Sequence, residues 1–566
     1  MLALMPLMAM LVATAASSGP SRVLDVRAFG ARPNDGKDDT AAVARAIEEI
    51  GKLKGGRLVF PKGRYEFHAG SNPASPGAMM ALDGLDAIEI DGGGSEFRFH
   101  GLAQGLTFHR CTNITLRNVT LEWAPAPFSV GRVIAATERS FDVEVEPEYP
   151  VKGGEPVGAF MEYDPATRTP LRRGLDVYNG VELTELIRPQ VLRLRLKWPI
   201  AVKPGVLVVL RHQVYGYNGV SFHRCSNVRT RNVTMHSVPG MGLIAVHSRD
   251  VTIEGLRVIP RPGTRHPMSA TADATHFMGC KGTVTLRNCV FEGMGDDGAN
   301  VKSGLYLTVQ KRLDERTVLA QHNLKMADLP DPGDVMETFH TDDLIAYGHA
   351  TVRSAVLEDD RITHRVEFAE PLPAELREGD VLGNASRTPK LRMSNCTVRL
   401  NRARGVLCQT RDAIIEGCTF DRCTGPGVLV LTEVVHFFES IGTRDVIVRN
   451  SRFIDCNYGA ASGDASLMAM AWLKDFAYPP KPGVHRNTVL RNNTIEGADG
   501  GGILAAGVEG LTIEGNTLRN VCRNPGRDEA AYGVRIINCG NVRLQGNHVP
   551  EDRQGAGFKK DVRMTP

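Results

Sequence analysis

A short pattern of apolar and polar positions recurs along most of the chain: apolar, any, apolar, polar, Asn or Gly, any, any, apolar. It runs over Ile114–Leu121, Val228–Met235, Val251–Val258, Val284–Phe291 and Leu391–Val398. Later copies are Ala413–Phe420, Val446–Phe453, Thr488–Ile495, Leu511–Leu518 and Val542–Val549. The base step is 22 or 23 residues, as from Leu391 to Ala413 or from Val228 to Val251, and steps of 31, 33 and 42 mark inserted loops. Each unit holds two or three alternating strands parted by Gly, Asn or Asp turns, with no room for a crossover helix. A leucine-rich repeat would need fixed leucines and a helical segment, and a propeller a longer period. The pattern predicts an all-β chain wound as a parallel β-helix, each coil about 4.8 Å above the last.

The polar step is filled by Asn118, Asn232, Asn288, Asn395, Asn450 and Asn492, or by Gly255, Gly417, Gly515 and Gly546. Both residue types tolerate a left-handed bend, and Asn amides can hydrogen-bond up a stack. Ahead of the repeats, Val43, Ile47, Ile50 and Leu53 form the apolar stripe of a helix from about Thr40 to Leu53. Asp38, Asp39 or Thr40 supplies its cap, and Gly55-Gly56 ends it. Such a helix covers the open end of the coil stack, where backbone groups would otherwise go unpaired.

Two stretches break the rhythm. Residues 123–215 read as an inserted antiparallel β subdomain with strands such as Phe141–Val145, Val191–Leu196 and Val206–Leu210. Residues 306–389 form a second β-rich insertion that includes Val352–Leu357 and His364–Phe368. The remaining divisions are an N-terminal cap with first coils (17–122), central coils (216–305), C-terminal coils (390–550) and a tail (551–566). Met1–Val12 is almost wholly apolar and Ala13-Thr14-Ala15 follows, which suggests a signal peptide over 1–16 and a secreted or periplasmic protein. That run is too short for stable membrane insertion.

Lys plus Arg is 67 and Asp plus Glu is 64, so a net charge of +3 over 566 residues argues against a nucleic-acid partner. Eleven cysteines without a CxxC pair suggest neither zinc nor redox chemistry. Cys111, Cys225 and Cys280 recur at one point of the repeat and read as small apolar residues of the core. No phosphate loop, nucleophile elbow or zinc-spaced His cluster stands out, and no cofactor is expected.

One acidic group does stand out. Asp273 and Asp296 are 23 residues apart, one coil, and Asp297 follows between Gly295 and Gly298. Stacked on one outer face, three carboxylates would repel one another, which a fold gains nothing from. A glycosidase does gain, because one carboxyl must keep its proton as acid while its partner stays ionised as base. Calcium is the other reading of close oxygens. Arg265, His276, Asn300 and Lys302 lie near the trio in sequence and are candidate sugar ligands. Glu433, His436 and Glu439 belong to a charged and aromatic interruption, Glu433–Ser440, that suits a pocket wall; Trp472 and Tyr478 have the same reading.

The opening Val26–Ala31 through Asp35–Thr40 resembles that of the pectate-lyase-like, right-handed parallel β-helix superfamily. Pro239–Gly242, Asp273–Phe277 with Cys280–Gly282, Gly295–Val301, and the stretch from Arg404 to Asn457 resemble glycoside hydrolase family 110. The resemblance implies an exo-acting, inverting enzyme that releases terminal α-1,3-linked galactose from glycans. It implies Asp296 as general acid, with Asp273 and Asp297 positioning and deprotonating the attacking water. It also implies a barrel-like insertion after the first coils. Lys302-Ser303 stands where the family commonly has His-Gly, and Phe437-Phe438 and Ile441 depart from its pattern around Glu439-Ser440. Rival readings are a polygalacturonase-like hydrolase, a polysaccharide lyase, and a β-helix that only binds glycan. Oligomeric state is not legible in the sequence.

Overall fold

The apolar positions of each repeat face inward and stack on those of the next coil, so one continuous core runs from Val26 to Ile536. The computed structural model describes residues 22–325, 328–459, 464–524, 532–549 and 563–565. The expected leader over 1–16 and nearly all of the tail lie outside them. The architecture is the right-handed parallel β-helix that the repeat and the resemblance point to.

Each coil carries three strand rows. Two belong to one long sheet and meet at a bend: Val228–Arg231 pairs with Val251–Glu254, and Thr234–Met235 pairs with Arg257–Val258. At the bend Asn118, Asn232, Asn288, Asn395, Asn450 and Asn492 have φ between 52° and 55°. Gly255, Gly417, Gly515 and Gly546 take the same place with φ between 61° and 65°. The left-handed turn is thus where the pattern places it. Among the bend residues Asn232 Nδ2 reaches Asn118 Oδ1 at 3.4 Å. The tighter amide ladder uses the next position: Asn493 Nδ2 donates to Asn516 Oδ1 at 3.1 Å, and Asn516 Nδ2 to Asn547 Oδ1 at 2.9 Å. Asn516 also accepts the Asn493 backbone N–H and donates to the Leu490 carbonyl. Asn516→Ala leaves those buried groups unmade and should cost roughly 2–4 kcal/mol; a denaturant midpoint equal to the parent's would refute that.

Interior residues repeat in kind. Phe420 stacks on Phe453 with ring centres 5.0 Å apart, and Phe108 on Phe222 at 4.8 Å. Cys111, Cys225 and Cys280 are buried free thiols in this core, as their recurrence predicts. The helix α1 spans Thr40–Lys52 and buries Val43, Ile47 and Ile50. Of the candidate caps, Asp38 Oδ1 accepts the Thr40 N–H, whereas Asp39 turns away to accept Arg32 N–H and Glu66 N–H.

The third row of strands carries the site, and two insertions rise beside it. The first is a seven-stranded antiparallel sheet between Phe128 and Arg211. Its two edge strands, Asp176–Tyr178 and Val181–Arg188, follow each other in the chain, so the sheet curls until its edges are only two residues apart along the chain. The second, Leu307–Asn384, is a closed six-stranded barrel.

Candidate active site

Thr275–Met278 and Ala299–Lys302 are successive third-row strands, paired with Thr275 beside Ala299 and His276 beside Asn300. The local step is therefore 24 residues, one more than expected. Asp273 stands beside Asp297, not Asp296, and its Oδ1 accepts the Asp297 N–H at 3.2 Å. Asp296 is displaced along the turn. The flanking glycines serve close approach and not a left-handed backbone: a Cβ on Gly298 would lie 2.5 Å from the Gly405 carbonyl, and one on Gly295 2.4 Å from that of Thr271.

The trio does converge. Each carboxyl offers an oxygen within 4.8 Å of the others. The expected open outer patch is, however, a buried one, with Asp273, Asp296 and Asp297 only 3%, 6% and 1% exposed. Burial is achieved by basic and phenolic side chains laid over the carboxyls. Arg402 Nη1 donates to Asp296 Oδ1 at 2.7 Å, and the Tyr215 hydroxyl to Oδ2 at 2.6 Å. Arg404 Nη2 pairs with Asp297 Oδ2 at 2.8 Å while its backbone N–H donates to Oδ1 at 2.9 Å. His276 Nδ1 lies 2.7 Å from Asp273 Oδ2.

These partners sort the charges. Burial and the neighbouring Asp296 push Asp273 well above the usual carboxylate range. Burial likewise raises Asp297, against the pull of Arg404. Burial would raise Asp296 too, but Arg402, Arg404 and the Tyr215 hydrogen bond outweigh it and hold that carboxyl low. The partners thus favour the charged form on Asp296 and the protonated form on the Asp273–Asp297 side. Burial, with Lys302 next, drives His276 down to about 3, so its ring is neutral.

Of the other candidates, Lys302 and Glu439 form a buried pair at 2.6 Å beside the trio. Asn300 is buried next to His276, and its Oδ1 has no partner among the described residues. Glu433 is spent on structure: its oxygens accept the N–H groups of Val435, His436 and Phe437 at 2.6–2.7 Å and so fold the aromatic loop. Arg265 is not at the site. Its guanidinium is largely exposed and faces Glu146 of the inserted sheet at 3.5 Å.

A cavity of about 640 Å³ adjoins the trio, lined by Arg402, Arg404, Glu439, His436, Trp472 and Phe476 among others. That is ligand-pocket size. Its aromatic end is built from Trp472 and His436 packed edge-on against Phe476, at 5.8 and 5.4 Å between ring centres. Tyr215, Tyr178, Arg211, Arg402 and Arg404 escaped the sequence reading. For Arg404 a signal existed: Ala299 pairs with Val406, so Arg404 occupies the Asp297 position one coil on.

Over 95% of this chain and 93% of the relative, the sequence is 28% identical to alpha-1,3-galactosidase B of Bacteroides thetaiotaomicron. It is 26% identical to alpha-1,3-galactosidase A of Shewanella woodyi, over 92% of this chain and 89% of that one. Over most of its length this chain is a relative of proteins named α-1,3-galactosidase. No family model matches the chain. Among solved structures, a family 28 exopolygalacturonase of Yersinia enterocolitica is 12% identical with a TM-score of 0.41, covering 94% of this chain and 76% of that one.

Proposed function

We propose that this protein is an exo-acting glycoside hydrolase that releases terminal α-1,3-linked galactose with inversion. The observation that carries it is the convergence of three buried carboxyls, one held low and two raised, beside a pocket in a relative of enzymes with that name. Splitting carboxyl acidities is what acid–base glycoside cleavage requires. Asp296 protonates the leaving oxygen, and Asp273 and Asp297 orient and deprotonate water. Because its partners hold Asp296 low and its neighbours high, the proton that Asp296 donates has to reach it in the sugar complex from the Asp273–Asp297 pair, whose oxygens lie within 4.8 Å. A neutral sugar fits the lining better than a polyuronide: Arg402 and Arg404, its two arginines, are already paired with carboxylates.

Inverting glycosidases usually part acid and base by roughly 6.5–9.5 Å to admit water, and retaining ones by about 5–5.5 Å. The short spacing here favours a second reading, retention. Two measurements decide. Incubation with α-1,3-, α-1,4- and α-1,6-galactosides and oligogalacturonate should give galactose from the α-1,3 substrate alone. Early NMR of the product should show β-galactose; α-galactose first would establish retention, and cleavage of oligogalacturonate alone would sink the galactosidase reading.

A further inference from the structure

Tyr215 lies outside the β-helix rows, in the segment that returns from the inserted sheet to the next coil. Its ring is half exposed, yet its hydroxyl reaches inward to the Asp296 carboxylate at 2.6 Å. A second tier stands behind it. The Tyr178 hydroxyl is 3.5 Å from that of Tyr215 and accepts from Arg211 Nη1 at 3.1 Å. Two guanidiniums lie over the Tyr178 ring, Arg211 at 4.6 Å and Arg402 at 4.8 Å from its centre. Arg211 is fully buried and ties this tier to the catalytic turn by donating to the carbonyls of Gly295 and Thr271 at 2.8 and 3.1 Å. Asp176, on the same sheet edge as Tyr178, accepts from Arg402 Nε at 2.8 Å and fixes the cation that faces Asp296. Asp296 therefore takes one donor from the β-helix and one from the segment leaving the insertion.

We propose that Tyr215, braced by Tyr178 and Arg211 of the inserted sheet, is a positioning residue that sets how readily Asp296 takes up the proton it must donate. The proposal deepens the reading of Asp296 as acid and rests on it. Around Asp296 the ionisable groups are Arg402, Arg404 and Arg211 as cations, Asp273, Asp297 and Asp176 as carboxyls, the His276 imidazole, and the two phenols. Burial and the adjacent Asp296 raise the Tyr215 phenol far above its ordinary value, so it remains a donor at every working pH. A donor to a carboxylate favours the charged form. Its loss must let Asp296 hold a proton to higher pH.

The test is the pH profile of kcat on an α-1,3-galactosyl disaccharide, whose leaving group needs protonation. The alkaline limb of kcat reports Asp296 in the complex, where it holds the proton, whereas that of kcat/KM would report the raised Asp273–Asp297 pair of the free enzyme. Tyr215→Phe should move the alkaline limb up by about one pH unit, the effect of one hydrogen bond to a charged group. Tyr178→Phe should move it the same way by less, and it serves as the second variant if the first is unstable. A profile that falls uniformly without moving overturns the proposal and leaves Tyr215 merely structural. If the parent enzyme releases no galactose, the functional reading has failed. Tyr215 is then tested by carboxyl ¹³C NMR, with the Asp296 signal assigned by its loss in Asp296→Asn. The same upward shift in Tyr215→Phe is expected there, and an unmoved titration overturns the proposal.

Discussion

Asp296→Asn should lower galactose release by about three orders of magnitude, within the range general acid catalysis contributes, while the protein stays folded. An amide has the shape of the carboxyl and still accepts one hydrogen bond, but it has no acidic proton for the leaving oxygen. The fold should tolerate the change because Arg402 retains a second anion, Asp176, at 2.8 Å. Tyr215 can donate to the amide oxygen as it does to Asp296 Oδ2. Removing one charge also relieves crowding with Asp273 and Asp297, which burial and mutual repulsion already hold at raised values. Activity within tenfold of the parent, with an unchanged unfolding midpoint, would remove Asp296 from the mechanism. A non-catalytic glycan binder would lose nothing measurable in affinity, which separates that reading as well.

The fold was legible because its information is local and repeated. The alternation of Ile114, Leu116 and Leu121 with the bend at Asn118 needs only eight residues to read, and ten copies confirm one another. The carboxylate trio was legible for the same reason, since a coil spacing links Asp273 to the Asp296-Asp297 pair. Its detail was not, because the 24-residue step between Thr275 and Ala299 shifts the partner of Asp273 by one position. A single-residue change in register is invisible to a period inferred from longer averages. The basic side of the site was hidden by distance along the chain. Arg404 sits over Asp297 only because the closed barrel of 307–384 is looped out between neighbouring coils. Tyr215, Tyr178 and Arg211 come from an insertion whose strands follow no repeat, so nothing in their spacing points at Asp296. Arg265 misled for the opposite reason: near in sequence to Asp273, it turns toward Glu146.

Arg404→Met should destabilise the protein by about 3–5 kcal/mol near neutral pH, the cost of stripping one partner from a buried ion pair. Methionine keeps much of the packing volume but removes the cation paired with Asp297, which is 1% exposed with Asp273 and Asp296 close by. The sign of the pH dependence follows from the carboxyl. Burial already places folded Asp297 above its unfolded value of about 3.9, and loss of Arg404 raises it further. A group raised on folding penalises the native state once the unfolded chain can ionise, so the penalty vanishes below about 4 in both proteins, and the variant's extra share opens as pH rises past the parent's own folded value. Denaturant unfolding of parent and variant should therefore diverge at neutral pH and converge in acid. Arg404→Lys, which restores a cation, should recover a large part of the difference. A loss of equal size at both pH values, unaffected by lysine, would show that Arg404 stabilises by packing alone and that the charge balance drawn here for the trio is wrong.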